Sequence, residues 1–147
     1  MDKIEKEFRE KFNIDELTIY ENDNWIWSLR PKQITFGSSI LSFKKTTNEL
    51  SKLTVNEFMD LHDVIQVCEK TLKKVLGYSI INYLMLMLVD KQLHYHVVPR
   101  YSEPIIYNGT KYEDKLWPNP PKMNVDMEVT EEELLELVKT LKITIKE

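Results

Sequence analysis

Hydrophobic residues recur along the chain at two spacings, and the spacing changes where the elements change. Ile4, Phe8 and Phe12 step by four, which predicts a short amphipathic helix over residues 2–12 that stops at Asn13. Leu17-Thr18-Ile19-Tyr20 alternates, Glu21 to Asn24 reads as a turn, and Trp25 to Leu29 alternates again, a hairpin pattern. Gly37 to Phe43 follows as a third strand, with Ser39, Leu41 and Phe43 sharing a face. Thr54 and Glu57 form a capping box, and Phe58, Leu61, Ile65, Cys68, Leu72 and Val75 then step by three and four towards Gly77. That is the clearest helix in the chain. Tyr78 to Val89 is apolar on both faces and predicts a strand covered on both sides, by helices or by another subunit. Asp90-Lys91 turns it into a partner strand, Leu93 to Val98. Residues 102–128 read as irregular, with Asn108-Gly109 as a turn and Pro118, Pro120 and Pro121 around Trp117. A second capping box, Thr130 and Glu133, opens a last helix with Leu134, Val138, Leu141 and Ile145 on one side. The order of elements predicts an α+β fold: an antiparallel sheet of about five strands, one long helix and terminal helices.

Composition narrows the class without naming a function. At 147 residues, 42% hydrophobic and 30% charged, the chain reads as a single globular domain over 1–147. Cys68, the one cysteine, lies on an apolar helix stripe and supplies neither an internal disulfide nor a thiolate cluster. No apolar segment follows Met1, and the longest apolar run, Ile80 to Val89, falls short of the ~20 residues a membrane span needs. The expectation is a cytoplasmic protein with no membrane partner. A net charge of −4 argues against a nucleic-acid coat. The charge is uneven, however: residues 1–16 carry −2, 122–147 carry −3, and the middle carries +1. A small anionic ligand is therefore not repelled from the middle, where Arg30, Lys32, Lys44, Lys45 and Arg100 are available.

Two of the three histidines lie in Gln92-Leu93-His94-Tyr95-His96-Val97-Val98-Pro99-Arg100. On a strand, Gln92, His94 and His96 share one face at about 6.6 Å intervals, a row on which a polyphosphate could lie. Three readings follow from the residues alone. The histidines are a satisfied surface pair; or they chelate zinc, which needs a third ligand from His62, Asp90 or Glu103; or a neutral imidazole attacks phosphorus.

The segment Ile81 to Asp90, continuing through His94-Tyr95-His96-Val97-Val98-Pro99-Arg100-Tyr101, resembles the HIT (histidine triad) hydrolases, especially the diadenosine polyphosphate hydrolase-like branch. Leu29 to Ser38 and Trp117-Pro118-Asn119-Pro120-Pro121 agree, so the resemblance spans a core of about 16–125, with the C-terminal helix at about 130–146 outside it. Anchored on Pro99-Arg100, the motif implies His94 as the catalytic nucleophile and His96 as the catalytic residue that assists the leaving group. Its first histidine is replaced by Gln92, which keeps the backbone carbonyl that fixes the nucleophile's tautomer and can donate to a phosphate oxygen. Arg30 and Asn82 fall in segments that flank the family's nucleotide pocket, so the resemblance adds them as substrate-binding residues. The implied activity is hydrolysis of a phosphoanhydride or phosphoramidate bond in a dinucleoside polyphosphate or similar nucleotide conjugate, through a nucleotidyl-histidine intermediate. No metal is required for that attack, although polyphosphates commonly arrive with magnesium. A homodimer is implied too, which would cover the doubly apolar strand. The alternatives are a nucleotide-binding protein with reduced catalysis, motivated by Gln92, and a nucleotidyl transferase.

Overall fold

The computed structural model describes residues 2–147. Helix α1 (Lys3–Lys11) starts where the Asp2 carboxylate accepts from the Glu5 amide at 2.9 Å. It ends at Phe12, and Asn13 in the left-handed region (φ 49°) redirects the chain into the single turn of α2 (Ile14–Leu17). Strands β1 (Thr18–Glu21), β2 (Trp25–Leu29) and β3 (Ser39–Phe43) form an antiparallel meander. Helix α3 (Val55–Leu76) opens on the predicted Thr54/Glu57 capping box and closes on Gly77 at φ 63°. Strands β4 (Ile80–Leu84) and β5 (His94–Arg100) complete a five-stranded antiparallel sheet in the order β1-β2-β3-β5-β4. A small hairpin, β6 (Ile105–Tyr107) and β7 (Thr110–Tyr112), precedes α4 (Glu131–Ile145), which carries the predicted Thr130/Glu133 capping box.

The sheet is covered unequally. One face presents Trp25, Trp27, Leu29, Leu41, Phe43 and Val97 to α3 and α4, whose Leu61, Val64, Cys68, Leu72, Leu134, Leu137 and Leu141 complete the main core. The buried indoles are satisfied, Trp25 donating to the Glu57 carbonyl at 2.9 Å and Trp27 to Ser39 Oγ at 2.8 Å. The opposite face is closed by a separate cluster of five residues: Phe8, Phe12 and Ile14 from the N-terminal helices, against Ile26 and Ile40. His94 and His96 lie on this second face, since they pair across β3 with Ser42 and Ile40.

Four expectations need correction. The strand expected over Tyr78 to Val89 ends at Leu84. Met87 takes a positive φ of 49°, and Leu86, Leu88 and Val89 are exposed rather than sandwiched. The apolar run thus forms an edge strand followed by a loop. Phe58 leaves the α3 stripe and is exposed, while Val64, Thr71 and Leu76 are buried; the contact face is rotated relative to the expected one. Ile4 is likewise exposed at the outer end of α1. Residues 102–128 are not wholly irregular, because Asn108 (φ 49°) and Gly109 (φ 78°) supply the two positive φ angles of a tight hairpin turn and pair β6 with β7. Among the described residues no helix is long and apolar enough to cross a membrane.

Candidate active site

β5 carries His94, His96, Val98 and Arg100 along one face, and each meets a different environment. At the near end His94 is 1% exposed and His96 7% exposed. His94 Nδ1 lies 2.5 Å from the Gln92 carbonyl oxygen. A carbonyl only accepts, so Nδ1 carries the proton and Nε2 keeps its lone pair. His94 Nε2 in turn sits 3.3 Å from His96 Nε2. With His94 Nε2 an acceptor, His96 must be the donor, protonated on Nε2, which leaves its buried Nδ1 with no partner. The two rings meet edge to face at 4.9 Å.

Both imidazoles are held neutral. Burial pushes the His94 pKa below its ordinary value, only partly opposed by the Gln92 carbonyl, and pushes His96 down to about 3, with neighbouring His94 adding to the shift. Neutral His94 with an unprotonated Nε2 is the form in which imidazole acts as a nucleophile, once the His96 N–H turns from that lone pair.

The surroundings are partly apolar and partly cationic. Phe8 lies 4.9 Å from the His94 ring and Phe12 6.1 Å from both rings, so α1 roofs the pair. Beside His96 a cavity of about 570 Å³ opens, lined by Lys11, Arg30 and Lys32, by Asp90 and Asp126, and by apolar groups including Phe12, Leu86 and Met123. Arg30 is positioned by the β2–β3 loop: buried Gln33 donates to the Arg30 and Ser38 carbonyls at 2.6 and 2.8 Å and accepts from the Gly37 amide at 2.7 Å. Arg30 Nη1 donates to the Lys32 carbonyl, and its buried Nε has no protein partner.

At the far end of β5, Arg100 is fully engaged. It donates from Nε to Asp114 Oδ2 at 2.7 Å, from Nη1 to Asn82 Oδ1 at 2.9 Å and from Nη2 to the Asn119 carbonyl at 2.7 Å. The ion pair is buried on both sides. It ties the segment after β7 onto the sheet, and the Met127 amide, donating to the Gln33 carbonyl at 2.8 Å, ties down its other end. Residues 123–126 between these ties form one wall of the cavity.

The structure therefore brings together His94, His96 and Arg30. It does not bring Gln92 or Asn82 to the cavity. The Gln92 amide nitrogen is spent on the Phe43 and Lys45 carbonyls at 2.6 and 2.8 Å, and its buried Oε1, which has no partner, can only accept, so the side chain has no donor left for a phosphate oxygen. Asn82 faces Arg100, and Arg100 itself is unavailable to an anionic ligand because Asp114 neutralises it. For the zinc reading, the described residues contain no group of three His, Cys, Asp or Glu able to hold a metal ion. Lys11, Asp90, Asp126 and the two phenylalanines escape the sequence pattern, because α1 and the segment before α4 reach the site only through tertiary packing.

Comparison with known proteins supplies the family. Residues 11–103 match the HIT domain, and the chain belongs to that family. No curated protein matches the chain closely enough to count as a relative. Among solved structures, a histidine triad protein from Sinorhizobium meliloti is similar, with a TM-score of 0.70 at 22% identity over 87% of this chain and 88% of that one. A histidine triad protein from Marinobacter aquaeolei aligns at 0.72 and 19% identity over 93% of both chains. The diadenosine triphosphate hydrolase of Plasmodium falciparum aligns at 0.65 and 13% identity over 98% of this chain and 97% of that one. At these identities the structural likeness establishes the fold.

Proposed function

We propose that the protein hydrolyses a dinucleoside polyphosphate or a similar nucleotide conjugate through a nucleotidyl group carried on His94. The observation that carries this reading is the relay from the Gln92 carbonyl to His94 Nδ1–H, which leaves His94 Nε2 unprotonated beside the His96 N–H. In the first step the Nε2 lone pair attacks the α-phosphorus, an N–P bond forms, and the bridging P–O bond breaks. His96 Nε2–H, now pointed at His94 Nε2, keeps its proton and donates a hydrogen bond to the departing oxygen, which leaves as an anion. Water then attacks phosphorus and gives up a proton to solvent, the N–P bond breaks with its electron pair returning to His94 Nε2, and a nucleoside monophosphate leaves. Arg30, with its unpartnered Nε, and Lys32 stabilise the charge on the non-bridging oxygens. The attack needs no resident cofactor; any magnesium arrives with the polyphosphate. In this reading Gln92 acts through its backbone, and Asn82 acts by bracing Arg100.

Incubation with a panel of dinucleoside polyphosphates, nucleoside phosphoramidates and nucleotide sugars should yield nucleoside monophosphate from at least one class. His94→Ala should abolish that turnover. Full activity in the variant would contradict the reading. The alternative of nucleotide binding with reduced turnover draws on the phenylalanine roof over His94. It is distinguished by nucleotide affinity without product across the panel. Retention of His96 favours water over another nucleophile as acceptor, and a nucleotidyl transferase would be recognised by product formed only when a second acceptor is supplied.

A further inference from the structure

The histidine pair is closed by a helix that its own surroundings are equipped to release. An in-line attack needs phosphorus about 3–3.5 Å from His94 Nε2. The space over that ring is taken by Phe8 at 4.9 Å and Phe12 at 6.1 Å, and the ring is 1% exposed. A nucleotide in the 570 Å³ cavity meets His96 but not His94, because His96 lines the cavity and His94 does not.

The roof is lightly fastened. Phe8 and Phe12 belong to the five-residue cluster, not to the main core. Beyond that cluster α1 is tied to the sheet side of the molecule by two polar contacts, Lys11 Nζ on both Asp90 oxygens at 2.8 and 2.9 Å, and Asp2 accepting from Thr46 Oγ1 at 2.5 Å, while Arg9 on Asp15 joins it only to neighbouring α2. Asn13, with its left-handed backbone, forms the joint between α1 and α2. The family match begins at residue 11, so α1 lies almost wholly outside the part of the chain that defines the family.

The Lys11–Asp90 pair also stands between two cavities. Both residues line the cavity beside His96 and a second one of about 420 Å³, bounded by Ile4, Glu7, Phe8 and Gln92. Lifting α1 joins the two into one groove running past both imidazoles. Lys11 already faces the cavity that holds Arg30 and Lys32, and there its counter-ion is a single carboxylate.

We propose that α1 is a lid over His94, latched by Lys11 on Asp90, and that an entering phosphoryl group opens it by taking Lys11 from Asp90. Lys11 is then a phosphate-binding residue of the open site. This inference rests on the reading of His94 as the reacting group. A polyphosphate chain competes well for the lysine because its phosphoryl groups together carry more charge than the single carboxylate and offer more acceptor oxygens.

The test is diethyl pyrocarbonate labelling of the full chain at neutral pH, read residue by residue by mass spectrometry. His62 on the exposed flank of α3 serves as the internal reference. In the native protein His94 should label about tenfold or more slower than His62. Asp90→Asn, which cuts the latch, and Phe8→Ala, which thins the roof, should each bring His94 to within a few-fold of His62. Adenosine diphosphate, used as the phosphoryl probe, should accelerate amide hydrogen exchange across residues 3–11 of the native protein and have no such effect in Lys11→Ala. Labelling of native His94 as fast as His62, or labelling unmoved in both variants, would overturn the lid. Unchanged α1 exchange at saturating nucleotide would overturn its opening by phosphate. The lid and the hydrolase reading fail separately: fast labelling in Asp90→Asn without turnover by any variant keeps the lid and removes the hydrolase, and the reverse pattern removes the lid alone.

Discussion

At the scale of single residues, the site depends on where two protons sit. The Gln92 carbonyl fixes one on His94 Nδ1, and the acceptor character of His94 Nε2 then fixes the other on His96 Nε2. A carbonyl belongs to the backbone, so replacement of the family's first histidine by glutamine leaves this relay in place. That much was expected from the sequence through the resemblance to the histidine triad motif; alternation and spacing alone only put residues 92, 94 and 96 on one face. The fate of the Gln92 side chain was not legible, since it depends on the Phe43 and Lys45 carbonyls, which a different strand brings within reach. The neutral state of His96 has a measurable consequence. The unfolded chain takes up a proton near the ordinary histidine value of about 6.5, whereas buried His96 resists it down to about 3. Between these values the unfolded state binds more protons, so stability falls as pH drops through this window and is flat above it. Urea unfolding compared at about pH 7.5 and about pH 5.5 should show a loss of about 1 kcal/mol or more that His96→Gln reduces. An identical slope in the variant would assign the loss to other groups.

At the scale of elements, capping boxes and apolar stripes announce α3 and α4, and the alternation announces β1 to β3. The edge strand is where the pattern misleads. Tyr78 to Val89 is apolar on both faces, but hydrogen bonding to β5 stops at Leu84, and Met87 takes a conformation no strand contains. Periodicity reports which residues avoid water, not where a ladder ends. The segment after β7 shows the same limit: its prolines exclude regular structure, yet the Arg100–Asp114 pair and the Met127–Gln33 bond hold it as an ordered wall of the cavity. Asp114→Ala leaves Arg100 buried and unpaired, and a loss of about 3–5 kcal/mol is expected by chemical denaturation. Because the wall is fastened by this pair, the variant should also raise the KM for any nucleotide conjugate far more than a surface substitution such as Lys142→Ala. Wild-type stability in Asp114→Ala would show that the pair contributes nothing net.

At the scale of the whole molecule, the sheet separates two tasks: one face anchors α3 and α4, and the other presents the histidines beneath α1. Fold class was readable from the sequence because it follows from the order of elements, whereas the roof over His94 was not, since an amphipathic helix does not state which surface it will cover. The exposed edge of β4, with Ile80 half-exposed, and the uncovered Leu86, Leu88 and Val89 leave apolar surface that the homodimer implied by the family resemblance would cover. Light scattering should then return about twice the 17.6 kDa chain mass at micromolar concentration, and a monomer throughout would remove the dimer. The central claim, that His94 Nε2 attacks phosphorus, is tested most directly by trapping. The protein is mixed with a dinucleoside polyphosphate, quenched in alkali where an N–P bond survives, digested and analysed by mass spectrometry. The account predicts a nucleoside monophosphoryl group on the peptide bearing His94, absent from His94→Ala. Turnover with the adduct on another residue, or at full rate with no adduct in either protein, would contradict it.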